Sequence, residues 1–123
     1  MQGLRDVILR GTTDGAGALT VAGDISVFGW LYAVEWIDGT LDNSNTAVLS
    51  VTNTPSGVDR TLLTIGAGEG DSDVVYYPRV LECDNACTSI GTYAMHCIAG
   101  TLKLVIASGG ASHEGGCIVY VFD

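Results

Sequence analysis

Apolar and polar positions alternate with a period of two along much of this chain, most plainly over Ser26–Ile37. Phe28, Trp30, Tyr32, Val34 and Trp36 fall on one face of that run, and Val27, Gly29, Leu31, Ala33, Glu35 and Ile37 on the other. Four of the nine aromatic residues thus share one face. The expected role of that face is the core of a β-sandwich, with ring edges packed on an opposing sheet. An aromatic ligand platform or an interface is the alternative, but stacking platforms usually carry basic residues and none is near. A second pattern closes the chain. Thr101–Ala107 and Cys117–Phe122 are β-branched apolar runs, and the residues between them include Gly109, Gly110, Gly115 and Gly116. Strand, glycine-rich loop, strand predicts a hairpin with a flexible tip at His113 and Glu114.

The remaining apolar runs are short. Arg5–Arg10, Ala18–Ala22, Ala47–Thr52, Thr61–Ile65 and Val74–Tyr77 read as strands, and Thr92–Ile98 as a weaker one; Glu82–Ser89 reads as irregular. Turn residues separate them: Asp14-Gly15, Gly23-Asp24, Asp38-Gly39, Pro55 with Gly57, and Gly66–Asp73. No stretch carries an amphipathic helical period. Turns recurring about every ten residues predict an all-β chain, a single-domain antiparallel β-sandwich over residues 1–123, jelly-roll-like, with residues 1–10 as an N-terminal arm or edge strand.

Composition adds an assembly theme. Of the 123 residues, 47% are hydrophobic and only 15% charged, which suits a subunit whose exterior partly becomes an interface, although a monomer with a generous core has much the same composition. The net charge of −9 comes from 14 acids against five bases, and those bases (Arg5, Arg10, Arg60, Arg79 and Lys103) are scattered singly. Phosphate binding needs clustered cations, so no nucleic-acid partner is expected. The N-terminus carries charges inside its short apolar run, unlike a signal peptide, and the longest uncharged stretch, Asn85–Leu102, is too polar to span a bilayer. No membrane partner is expected, and synthesis and folding in a cytoplasm are.

Candidate chemistry is sparse. Cys83 and Cys87 are spaced marginally like a zinc pair, but the adjacent His96 and Cys97 would point to opposite sides of a strand. Free thiols, Cys117 included, are the expectation, with a Cys83–Cys87 disulfide as the next option. Glu69, Asp71 and Asp73 could hold calcium, although a solvated acidic loop is the simpler reading. Ser112-His113-Glu114 resembles a triad in letters only, since consecutive residues cannot orient one another. No catalytic residue, cofactor or metal site is expected, and an enzyme is not.

Asp14-Gly-Ala-Gly17 with Leu19-Thr-Val21, then Gly29–Ile37, Tyr77-Pro-Arg79, Gly100–Gly110 and Gly116–Tyr120, resemble segments of a family of small tailed-bacteriophage structural proteins. The likeness runs along nearly the whole chain and consists of turn and strand patterns. It implies a capsid decoration, or cement, protein on the outer face of the virion head. Its partners would be the major capsid protein and further copies of itself, as a homodimer or homotrimer. Arg5, Arg10, Arg60 and Arg79 are the candidate interface anchors, because arginine is the charged residue enriched at interfaces. A neck, tail or fibre-base protein is the alternative virion role. A carbohydrate-binding sandwich using Trp30, Trp36, Tyr76 or Tyr77 is the alternative outside the virion.

Overall fold

A computed structural model describes every residue except Met1, Gln2, Thr54, Pro55, Asp84, Cys87 and Asp123. The described chain is all-β, with ten strands: β1 (Leu4–Thr12), β2 (Leu19–Ala22), β3 (Val27–Ile37), β4 (Thr46–Asn53), β5 (Asp59–Ile65), β6 (Val74–Tyr76), β7 (Arg79–Cys83), β8 (Ser89–Met95), β9 (Cys97–Ala107) and β10 (Glu114–Phe122). Every pairing is antiparallel. Eight strands form two layers, β1-β10-β3-β6 and β2-β9-β4-β5, and a β7–β8 hairpin stands apart. The layers join where Val27–Trp30 of β3 pair with Cys97–Gly100 of β9. The chain changes layer at nearly every connection, which is the jelly-roll path expected above.

Each layer sends alternate residues inward, as the pleat requires. Leu9 of β1, Val27, Leu31, Val34 and Trp36 of β3, and Cys117, Val119 and Val121 of β10 meet Ala47, Leu49 and Val51 of β4, Leu62 and Ile65 of β5, and Ile98, Leu102, Leu104 and Ile106 of β9 in one buried cluster. Burying about twenty such side chains, at about 1.5–3 kcal/mol each, is the largest favourable contribution to folding.

Two expectations are corrected. The closing runs do not form a hairpin: β9 lies in one layer and β10 in the other, each paired with different strands. The intervening loop crosses the sandwich, and it is tied rather than free. Thr13 Oγ1 donates to the Gly110 carbonyl and accepts from His113 N at 2.9 Å. Thr13 N donates to His113 O, Gly109 N to Gly17 O, and Asp42 N to Gly109 O. Both runs are apolar enough to be central strands, and adjacency in sequence did not mean pairing in space.

The second correction concerns β3. Between Tyr120 and Val121 of β10 the register against β3 shifts, so Val121 opposes Leu31 while Tyr120 opposes Ala33. Tyr32 is the extra residue of a β-bulge. Up to Leu31 the odd-numbered positions point inward; from Val34 onward the even-numbered ones do. Trp36 and Val34 are therefore core, whereas Phe28, Trp30 and Tyr32 are exposed. The aromatic face expected to form the core is split by the bulge into a buried half and a surface half. One strand was also missed, β7, which lies beyond the strand end expected at Pro78 and runs into the stretch expected to be irregular; β8 was expected only from Thr92 onward and continues three residues earlier, to Ser89. The start of the chain lies along β10 from Leu4 to Thr12 as an edge strand, not as an extended arm.

Candidate interaction surface

The outer faces of the two layers differ in kind. On β2-β9-β4-β5 the outward register rows run Thr20–Val105–Val48–Thr64 and Ala22–Lys103–Ser50–Thr61, and Thr52 stands opposite Thr101 and Asp59. Lys103 Nζ sits 2.7 Å from Asp59 Oδ2, and Thr52 Oγ1 donates to Asp59 Oδ1 at 2.6 Å. These bonds hold the Asp59 carboxyl below its ordinary range, the Lys103 bond contributing most. Threonines and the Lys103–Asp59 pair make most of this face polar, with Val48 and Val105 the large apolar side chains exposed among them.

On β1-β10-β3-β6 the outward rows run Leu4–Phe122–Trp30 and Ile8–Ile118–Glu35–Val75. Leu4 is 52% exposed, Ile8 61%, Trp30 50% and Tyr77 55%. Tyr32 is the hub of this face. Its ring meets Phe122 edge-on at 5.1 Å and Tyr77 at 5.7 Å, the geometry that ring quadrupoles favour. The bulge places it there.

At one end of the face the β7–β8 hairpin overhangs the sheet. Trp30, Tyr32, Arg79, Tyr93, Met95 and Phe122 line a groove of about 540 Å³ between them. Arg79 closes its base: Nη1 donates to Tyr32 O at 3.0 Å and to Pro78 O at 2.8 Å, and the guanidinium lies 5.9 Å from the Tyr77 ring. The hairpin itself exposes Val80, Leu81, Ile90 and Tyr93. A two-stranded ribbon is marginal alone, so these apolar residues gain from any surface that covers them.

The four candidate arginines do not converge. Arg79 belongs to the groove. Arg10 points outward from β1 near Glu114 at the far end of the same layer. Arg5 pairs with Val121 on the half-buried side of β1. Arg60, on β5, donates to the Cys97 carbonyl. The residues that dominate this surface, Tyr93, Met95, Tyr120 and Phe122 among them, carry no signal in sequence beyond being apolar. Only the register and the hairpin fold bring them together.

Little else gathers into a site. Among the described residues, no group of three or more His, Cys, Asp and Glu side chains is placed to hold a metal ion. Glu69 accepts from Gly66 N and Asp73 from Asp38 N, so two of the three carboxylates of the acidic loop serve the backbone separately. Burial, then the charges of Asp73 and Asp71, raise the Asp38 carboxyl above its ordinary value. His113 lies 3.1 Å from Gly109 O and 3.3 Å from Asp42 Oδ1, inside the crossing loop. Burial, then Arg60 and Arg79, lower the His96 imidazole. Cys83 and Cys97 are exposed free thiols and Cys117 a buried one; Cys87, and with it the Cys83–Cys87 pairing, lies outside the described residues. Of the proposed sugar-stacking rings, Trp36 is fully buried and Tyr76 half-buried. No family model matches the chain, and no curated protein matches its sequence.

Proposed function

We propose that this chain is a structural virion protein, a head decoration protein that assembles with copies of itself and clamps the outer face of the major capsid lattice. The observation that carries the reading is the contrast between the two outer sheet faces. One is mostly polar, threonines and an ion pair around exposed Val48 and Val105; the other presents the larger side chains Leu4, Ile8, Trp30, Tyr32, Tyr77 and Phe122. Contiguous exposed apolar area of this kind marks an interaction surface. An assembly subunit needs a stiff β framework and a sticky face, and needs no catalytic group. An acidic exterior suits a position outside the shell, where packaged DNA does not meet it. Individual contacts can be weak, because a lattice multiplies them by avidity.

The test is to add purified protein to capsids that lack it and to follow occupancy and the temperature at which DNA is released. Saturable binding with a raised release temperature is expected. Full occupancy with unchanged release refutes clamping, and density confined to the portal vertex moves the protein to the neck. The groove's Trp30 and Tyr93 also suit a sugar ring, and saturable quenching of Trp30 fluorescence by a glycan would favour that second reading.

A further inference from the structure

The outer face of β1-β10-β3-β6 is nearly neutral in a chain that is not. Its charged residues are Asp6, Glu35 and Glu114 against Arg10 and Arg79, so all but one unit of the net charge of −9 lies elsewhere on the molecule. None of the five forms an ion pair within the chain among the described residues, where the pairs are Lys103–Asp59 and His113–Asp42. Glu35 accepts a hydrogen bond from Tyr120 at 2.9 Å, and Arg79 donates only to carbonyls.

We infer that this face is where copies of the chain meet each other, its aromatic rings packed against those of a second copy and its acids facing the second copy's bases. The inference rests on the assembly reading above and names the surface that carries it. Two bodies of charge −9 repel through most orientations. The orientation that brings the nearly neutral face of one against the same face of the other keeps the remaining acids apart. Acids and bases stand side by side on the face, Asp6 and Arg10 on one strand, so it can complement a second copy of itself, as an interface between like surfaces must. A basic partner would fit the acidic loops better, and a strongly acidic one would find only two arginines here. Size permits it. Three strands about 4.8 Å apart and about 30 Å long, with the short β6 and the overhanging β7–β8 hairpin beside them, form a footprint that approaches the roughly 800 Å² per partner of a standard interface.

Within the face, Asp6 and Arg10 stand on the same side of edge strand β1, paired with Tyr120 and Gly116. Copies stacked with their β1 strands antiparallel bring Asp6 of each toward Arg10 of the other. That geometry yields a specific test. Sedimentation of the wild-type chain at about 50 µM is expected to give twice the 12.7 kDa of one chain. Trp30→Thr with Tyr32→Thr, which copies the water-facing chemistry of the other layer, is expected to weaken association at least tenfold with an unchanged far-ultraviolet spectrum. Arg10→Glu alone and Asp6→Arg alone should each weaken it several-fold, and an equimolar mixture of the two should recover it, because mixed pairs restore opposite charges at both ends.

A wild-type chain that sediments as a monomer throughout overturns the inference, as does a multimer indifferent to all of these substitutions. Should the double threonine variant fail to fold, the charge pair on the exposed edge strand decides alone. Capsid binding is measured separately. A monomer that still stabilises capsids refutes this surface and leaves the decoration role standing; a multimer that ignores capsids does the reverse.

Discussion

Trp36 has no exposed surface, and its indole Nε1 donates to the Gly70 carbonyl at 2.9 Å. Asn45, equally buried, donates to the same oxygen at 3.3 Å, so the acidic loop is anchored to the core through one carbonyl. Trp36→Phe loses that bond and leaves space behind the smaller ring; a loss of about 2 kcal/mol is expected from urea unfolding. Trp30→Phe, at the surface, should cost well under 1 kcal/mol in the same assay. Equal losses would contradict the bulge that separates the two rings. Cys117 provides a pH signature. Burial pushes its thiol from 9.0 to about 12. The folded chain therefore holds this proton more tightly than the unfolded chain, so the contribution is complete below about pH 9 and is lost as pH rises toward 12. At about 1.4 kcal/mol per unit, the wild type should lose about 1 kcal/mol more than Cys117→Val between pH 8 and pH 10. Alkylation at pH 8 should label Cys83 and Cys97 while sparing Cys117, which peptide mass mapping reads directly.

At the scale of elements, the crossing loop and the bulge matter most. Thr13 is 3% exposed and serves two partners of the β9–β10 connection, the Gly110 carbonyl and the His113 amide. Thr13→Val should cost about 1–3 kcal/mol by leaving both unpaired, and Thr13→Ser should recover most of it in a thermal melt. Full stability of the valine variant would mean that the loop is held by its other bonds alone. Gly29 shows how closely β3 and β10 approach, since a methyl group there would run into the Phe122 carbonyl oxygen. The strands themselves were largely legible, because a period of two and glycine-marked turns are local signals. The partners of β9 and β10 were not, since both runs are apolar enough to sit beside several others. The bulge was not legible either: an inserted residue changes which face each later side chain takes without altering the composition of the run. β7 escaped because Pro78 reads as a strand end, and its pairing with β8 because the apolar residues of both strands face outward.

The molecule as a whole presents a polar face, an aromatic face and acidic loops. If the aromatic face joins copies, salt should tighten association, because screening removes repulsion between acidic bodies while apolar contacts persist. Raising sodium chloride from 20 to 200 mM should lower the dissociation constant several-fold in sedimentation equilibrium. A rise of that size would place ion pairs, not rings, at the centre of the contact. Arg60→Ala should leave association unchanged in the same experiment, since Arg60 lies on the other layer, bonded to the Cys97 carbonyl.

What the amino-acid sequence determined by itself was the class of the molecule: antiparallel strands, short turns, an acidic net charge, and more apolar residues than one core of this size conceals. Alternation, turn chemistry and charge are properties of neighbouring residues, so they can be read along the chain. The tertiary structure alone decided which apolar residues are concealed. A single extra residue at Tyr32 turns Trp36 inward and leaves Phe28, Trp30 and Tyr32 outside. Pairing within that layer then gathers Leu4 and Phe122 beside them, and the segment after β6 adds Tyr77. Burial depends on register between strands distant in sequence, and register is fixed by the summed packing of both layers rather than by any one run.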